Sequence, residues 1–340
     1  MTMKTDLITL DHGSGGRASH RLIEEVFFAI FDNDFLRQGH DSVCLPTEIG
    51  RQLVFTTDSY VVSPLFFPGG DIGDLAVNGT VNDLCMSGAD PLYLSVGFIL
   101  EEGFAISDLK IICQSMAKAA EHAGVKIVTG DTKVVERGQC DGVFINTSGV
   151  GFKNPAFCAS GDKAQVGDCI IVNGTLGEHG LTILTKRENL EFGSTLVSDT
   201  APLNHLVKKL VDQFPEDIHC MRDATRGGLA AVVNELAAQS KVSIQLEELS
   251  IPLKTEVTGA SEFLGLDPLS IANEGKFICV CSADKANEIL AVMRTMDIGK
   301  DAAIIGKVGS ERAGLVSIKT ALGGTRALAW GGGELLPRIC

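Results

Sequence analysis

Val125-Lys126-Ile127-Val128-Thr129 reads as a short, mostly apolar strand, and it runs straight into Gly130-Asp131-Thr132-Lys133, which sets an acid and a base together at its end. Ahead of it, Ser107 to His122 places Leu109, Ile112, Met116 and Ala120 on one stripe at helical spacing, with Ser107 as N-cap and Gly124 as terminator. Tyr93 to Leu100 and Val143 to Phe152 supply further strand patterns on either side. Helix interleaved with strand in this way predicts a sheet covered by helices.

Towards the N-terminus, Leu53-Val54-Phe55-Thr56-Thr57 predicts a strand ending on Asp58, and apolar residues from Tyr60 to Phe67 lead to a turn at Pro68-Gly69-Gly70. A side chain at a strand end is one that a cleft can use. Residues 72–87 read as a helix on which Asp74, Asn78 and Asn82 fall four apart on one face, with Asp83 beside it. A solvated surface is the plainer account of that face, but Gly79, Ser87 and Gly88 favour a packed or ligand-facing one because they permit close approach. Residues 32–50 are polar and irregular. Before them, His12-Gly13-Ser14-Gly15-Gly16-Arg17 opens a helical pattern through Leu22, Ile23, Val26, Phe27 and Ile30. Its glycines would let backbone N–H groups face a phosphate. Neither the P-loop nor the dinucleotide spacing is present, and a flexible turn explains the same residues.

Away from the opening stretch in the other direction, Asn154-Pro155 and Ser160-Gly161-Asp162 mark a boundary. A strand at Cys169 to Val172 then enters Asn173-Gly174-Thr175-Leu176-Gly177-Glu178-His179-Gly180, a glycine-rich connection to a helix at about 181–189, and a second helix follows near 203–213. Met221-Arg222-Asp223-Ala224-Thr225-Arg226-Gly227-Gly228 opens a helix carrying Leu229, Val232, Val233 and Leu236. Two arginines, a carboxylate and two glycines at a helix start suit an anion. Residues 241–253 hold a strand and a proline stop, Ile271-Ala272-Asn273-Glu274-Gly275 precedes a strand from Lys276 to Cys281, and a helix at 284–296 and a strand near 314–319 close the unit. The chain divides into an N-terminal segment (1–43), an α/β domain (44–155), a second α/β domain (156–322) and a tail (323–340).

That tail carries the one tryptophan in Trp330-Gly331-Gly332-Gly333-Glu334 and ends on Pro337-Arg338-Ile339-Cys340. A triple glycine has the backbone freedom of a linker. Seven residues from the last of these glycines to Cys340 span at most roughly 23–25 Å, enough to carry a thiol from a surface into a cleft. A cysteine in last place is not a prenylation signal.

The totals limit the alternatives. With 45% hydrophobic and 21% charged residues, 340 residues suffice for two cores, and no run long enough for a membrane helix or a leader is present. Ten cysteines without a CxxC pair, several of them in apolar runs, point to a reducing cytoplasm. A formal charge of −14 from 29 basic and 43 acidic residues excludes nucleic acid as the expected partner. A nucleotide would have to be held locally, and Asp58, Asp83, Asp131, Asp223 and Glu274, at element ends or beside glycine turns, are how a magnesium–nucleotide site is assembled from distant segments. Taken singly, each acid is more simply structural.

Thr56-Thr57-Asp58-Ser59, Pro64-Leu65-Phe66-Phe67-Pro68-Gly69-Gly70, Val128-Thr129-Gly130-Asp131-Thr132-Lys133-Val134-Val135, Arg222-Asp223-Ala224-Thr225-Arg226-Gly227-Gly228, Ala272-Asn273-Glu274-Gly275-Lys276 and the ending Pro337-Arg338-Ile339-Cys340 together resemble the HypE family of hydrogenase-maturation proteins. The match covers nearly the whole chain. That family belongs with aminoimidazole ribonucleotide synthetase, selenophosphate synthetase and thiamine monophosphate kinase; the terminal cysteine fits HypE specifically. The resemblance implies an α+β fold of the aminoimidazole ribonucleotide synthetase type, two domains each with a β-sheet covered by helices, a flexible C-terminal tail, and a homodimer formed through the N-terminal domains. It implies ATP and Mg2+ between the domains, carbamoylation of Cys340 by HypF, ATP-driven dehydration to an S-cyano group, and transfer to a HypC–HypD complex for the iron of a nickel-iron hydrogenase.

Carried onto this sequence, the resemblance assigns Mg2+ to a subset of Asp58, Asp83, Asp131 and Asp223, with Gly13, Gly15, Gly16 and Arg226 completing nucleotide binding. Lys133 would stabilise the transferring phosphoryl or the carbamoyl oxygen, and Glu274 would accept a proton or orient the carbamoyl nitrogen. An ion pair with a neighbouring acid and a sheet-edge cap are the plainer roles for these two. The terminal carboxylate disfavours the Cys340 thiolate and Arg338 offsets part of that, so the free arm is expected to be a sluggish nucleophile. Two rivals stay open: a kinase or synthetase acting on a free small molecule, and a non-catalytic nucleotide-binding carrier.

Overall fold

Residues 7–13, 21–33, 50–190, 196–329 and 338–340 are described by the computed structural model. In β1 (Gln52–Tyr60) the strand period turns Val54, Thr56, Asp58 and Tyr60 to one face and Leu53, Phe55, Thr57 and Ser59 to the other. After it come α1 (Ile72–Met86), β2 (Ala89–Glu101), α2 (Ile106–Ala123), β3 (Lys126–Val135) and β4 (Val143–Lys153). The four strands lie in the order β1-β4-β2-β3, antiparallel except for β2 and β3, which α2 connects as a crossover. Both helices cover the same face: Leu75, Val77 and Val81 from α1 and Leu109, Ile112 and Met116 from α2 share a core with Tyr60, Leu94 and Val96. On the opposite face Leu53 and Phe55 are each 64% exposed and Ile99 is 43% exposed.

The second domain contains β5 (Cys169–Val172), α3 (Glu178–Arg187), α4 (Asn204–Gln213), β6 (Ile218–Asp223), α5 (Gly228–Ser240), β7 (Ser243–Glu247), α6 (Thr255–Leu264), β8 (Phe277–Cys281), α7 (Ala286–Met293), β9 (Ala303–Gly309), β10 (Val316–Lys319) and β11 (Thr325–Ala327). Its sheet runs β11-β10-β7-β9-β5-β8-β6. Strand β8, next to the edge strand β6, is buried on both faces: Ile278 and Val280 pack with Leu229 and Val233 of α5, while Phe277 and Cys281 pack with Leu206 and Leu210 of α4 and Ile289 of α7. Cysteines serve here as small apolar residues.

Helix α1 joins the domains. Asn82 Nδ2 donates to Ala201 O (3.1 Å) and Glu274 O (3.2 Å), its Oδ1 accepts from Leu203 N (2.8 Å), and Asn78 Nδ2 donates to Thr200 Oγ1 (3.2 Å). The polar face read from the sequence is therefore buried against the second domain. Among the described residues no helix is long and apolar enough to cross a membrane.

Several expectations need correction. Asp58 lies inside β1, two residues before its end, and Asp131 and Lys133 lie inside β3. Gly130 looked like a stop, yet a Cβ there would sit 2.5 Å from Val96 O, so the glycine is what lets β3 approach β2 and continue. Helix α2 starts one residue early, at an N-cap, Ala105, with no side-chain bond, in place of Ser107. Strands β6, β9 and β11 were not anticipated, because polar residues or paired glycines interrupt their apolar patterns. Since β11 and the buried Leu328 belong to the sheet and its core, the tail segment does not begin at 323.

Candidate active site

The end of the chain lies in the cleft between the domains. Val61 N donates to Cys340 O (3.1 Å), Ser63 N to Arg338 O (3.2 Å), and the Arg338 side chain donates from Nε to Val61 O (3.0 Å), so the last three residues are tied to the segment after β1 by its backbone. Ile339 is then 4% exposed in the N-terminal core. Burial of such a side chain contributes about 1.5–3 kcal/mol towards holding the tail. Cys340 Sγ lies 3.3 Å from Arg226 Nε.

Arg226 stands in the turn between β6 and α5. Gly227 and Gly228 follow at φ of 72° and 58°, and a Cβ on Gly228 would lie 2.5 Å from Ile271 O, so this turn requires glycine. One guanidinium nitrogen of Arg226 is 4.0 Å from Asp58 Oδ1. Asp83 accepts from Thr56 Oγ1 (3.1 Å). Burial and then Asp58 push Asp83 up to about 6, and burial and then Asp83 push Asp223 to about 7, against the opposing charge of Arg222.

Glu274 is buried, and its Oε1 has no hydrogen-bond partner. Burial, then Asp199, Asp223, Asp58 and Asp83, hold its carboxyl well above the usual range. Its backbone is fixed by Glu274 N donating to Asp199 Oδ1 (3.1 Å). Burial raises Asp199, but the Lys276 ammonium at 3.0 Å outweighs it and holds the acid ionised. Next to Glu274, a Cβ on Gly275 would meet Asp199 O at 2.0 Å. Gly275→Ala is expected to cost about 1–3 kcal/mol of stability by overpacking, read as a lower urea midpoint; an unchanged midpoint contradicts this approach.

Burial, then the Glu274 charge, push the Cys340 thiol up to about 12, with Arg226 opposing. The cation at the thiol is thus Arg226; Arg338 turns its guanidinium to Val61 O and Asp141. Alkylation of Cys340 should therefore keep rising with pH through the alkaline range, followed by mass mapping of the C-terminal peptide, whereas a plateau below pH about 8 contradicts this environment.

Of the residues singled out in the sequence, Asp58, Asp83, Asp223, Arg226, Glu274 and Cys340 are brought to one cleft. Asp131 and Lys133 pair with each other at 2.8 Å, and Asp131 shares a register row with Gly97, Asn146 and Ser59, on the open face of the first sheet opposite Asp58. Gly13 closes a short helical turn (Leu10–Gly13), while Gly15 and Gly16 lie outside the described residues. Among the described residues no three His, Cys, Asp or Glu side chains gather to hold an ion unaided. The carboxylates of Asp58, Asp83 and Asp223, near enough for Asp58 to raise Asp83 and Asp83 to raise Asp223, offer the kind of oxygen donor Mg2+ takes, and that ion needs only one or two carboxylates when phosphates and water complete its shell. The sequence reading missed His179, Arg187 and Asp199. His179 lay within a stretch read only as a glycine-rich connection, and nothing around Ser198-Asp199-Thr200 marks a site.

Fold and cleft define a two-domain protein of the AIR synthase-related type. The AIR synthase related N-terminal domain matches residues 39–152 and the corresponding C-terminal domain residues 165–319. A carbamoyl dehydratase HypE from Cupriavidus necator is 51% identical over 340 residues, covering 100% of this chain and 97% of that protein. A crystal structure of the hydrogenase maturation protein HypE in complex with ATP superposes with a TM-score of 0.94 at 51% identity, covering 98% of this chain and 99% of that one. A chain of a HypE–HypF complex does so with a TM-score of 0.81 at 48% identity, covering 91% and 99%. The chain belongs to the HypE family of carbamoyl dehydratases, which serve hydrogenase maturation.

Proposed function

We infer that this chain uses ATP to dehydrate an S-carbamoyl group carried on its own Cys340 to an S-cyano group. The observation that carries this reading is the position of the terminal thiol: it is inserted between the domains, beside Arg226 and within the field of Glu274 and Asp58. A kinase or synthetase acting on a free substrate has no use for its own C-terminus there.

A thiocarbamate oxygen is a poor leaving group, so the γ-phosphoryl of ATP is first transferred to it, with loss of one N–H proton and release of ADP. Breaking the C–O bond then expels phosphate, the second N–H proton departs, and the nitrile remains on sulfur. Glu274 is the proton acceptor: its unpartnered Oε1 is available, and a carboxyl of raised proton affinity is a stronger base once ionised. Arg226 orients the sulfur end of the group. Asp58, Asp83 and Asp223 would hold Mg2+, which supplies charge neutralisation on the phosphates. Lys133 and Asp131, on the open sheet face with Leu53, Phe55 and Ile99, belong in this reading to a face that a second copy covers, giving a homodimer. HypF is the carbamoyl donor and HypC–HypD the acceptor of the cyano group.

Intact-mass measurement after incubation with HypF, carbamoyl phosphate and ATP tests this. The expected result is a carbamoyl adduct that loses one water only with Mg-ATP present and is absent altogether in Cys340→Ala. Turnover of a free small molecule by Cys340→Ala, or an unchanged mass in the wild type, refutes it.

A further inference from the structure

His179 and Arg187 hold the tail by its backbone. His179 Nε2 lies 2.9 Å from Ile339 O; a carbonyl only accepts, so Nε2 carries the proton and Nδ1, 2.7 Å from Ser198 Oγ, accepts from that hydroxyl. Ser198 Oγ accepts in turn from Thr200 N (3.2 Å), and Ser198 N donates to Pro68 O (2.9 Å), which ties this loop to the first domain. Arg187 Nη2 donates to Arg338 O (2.7 Å) and its Nε to Ser63 O (2.8 Å), bridging the tail and the segment it pairs with. His179 and Arg187 both project from α3 of the second domain, whereas Ile339 is packed in the core of the first. Neither His179 nor Arg187 bonds the Cys340 side chain, which lies against Arg226.

We propose that His179, set by Ser198, is a positioning residue: it latches the Ile339 carbonyl so that the group on Cys340 is presented to the cleft, and it acts on dehydration but not on loading. Loading from a second protein requires the thiol outside the cleft, so a weaker latch leaves that step intact and slows only the step carried out inside. The inference rests on the reading of Cys340 as carrier.

The test compares wild type, His179→Ala and His179→Gln, the last keeping an N–H donor near the position of Nε2. For His179→Ala, loading by HypF is expected at the wild-type rate or faster, and single-turnover water loss from the loaded protein about tenfold or more slower. Alkylation of unloaded Cys340 by iodoacetamide should be about tenfold faster, the effect of one lost buried hydrogen bond on the docked population. His179→Gln should recover most of both. Equal alkylation rates in all three proteins overturn the proposal, as does an alanine variant that loads and dehydrates equally slowly while the glutamine variant does the same. Absence of water loss in the wild type refutes the carrier reading instead, and the alkylation comparison still decides whether the latch exists.

Discussion

Replacing Glu274 by glutamine is expected to leave carbamoyl loading of Cys340 unchanged and to slow the loss of water by about 10²- to 10⁴-fold, the range for removing a general base. The other acids around the cleft already have work: Asp83 accepts from Thr56, and Asp199 accepts from Glu274 N and pairs with Lys276. The Glu274 side chain is buried with an unpartnered Oε1, whereas Asp199, whose Oδ2 also lacks a hydrogen bond, is held ionised by the Lys276 ammonium at 3.0 Å. Stability separates this role from a structural one. A carboxyl whose folded-state pKa is raised binds its proton more tightly in the native than in the unfolded state, so wild-type stability falls as pH rises from about 4, the unfolded value. Glutamine carries no such proton. The variant should therefore be no less stable than wild type at neutral pH, and its advantage should grow with pH across the carboxyl range. Urea unfolding at several pH values, together with single-turnover mass spectrometry, checks both halves. A Glu274→Gln protein that dehydrates at the wild-type rate removes the base assignment, and one that unfolds more easily makes the residue structural.

How much of this was legible beforehand depends on whether the signal was local. Helices α1 and α2 and strands β5 and β8 follow from period and terminators within their own segments, and the structure returns them to within a residue or two. β3 was cut short because its glycine answers to Val96 O on a neighbouring strand, a constraint that no window around Gly130 contains. The site divides in the same way. Asp58, Asp223 and Glu274 stood out through glycine turns and clustered charge. His179 and Asp199 act through partners 160 and 75 residues away in sequence, Ile339 and Glu274, so their roles exist only once the chain is folded. Arg226 and Arg338 were both visible as cations, but only the fold shows which of them faces the thiol.

Lys133 makes the sharpest demand on the proposed assembly. Its ammonium pairs with Asp131 on the open face of the first sheet, on the edge strand farthest from the one that carries Asp58, so within one chain it is turned away from Cys340. If Lys133 stabilises the transferring phosphoryl, it must do so for a second subunit laid on that face, where Leu53 and Phe55 supply apolar surface to bury. Lys133→Met is then expected to slow dehydration by about 10²- to 10³-fold, the usual loss for one charge-stabilising donor, with loading unaffected. Cys340→Ala is inactive for a different reason, having no carrier. Mixing the two inactive proteins under conditions that exchange subunits should restore water loss, because the intact tail of the lysine variant then sits opposite the intact Lys133 of its partner. Recovery must appear as cyano mass on the Lys133→Met chain alone, which its own mass identifies. If the mixture stays inactive although native mass spectrometry shows mixed dimers, Lys133 does not act across the interface; if Lys133→Met alone dehydrates normally, it does not act at all.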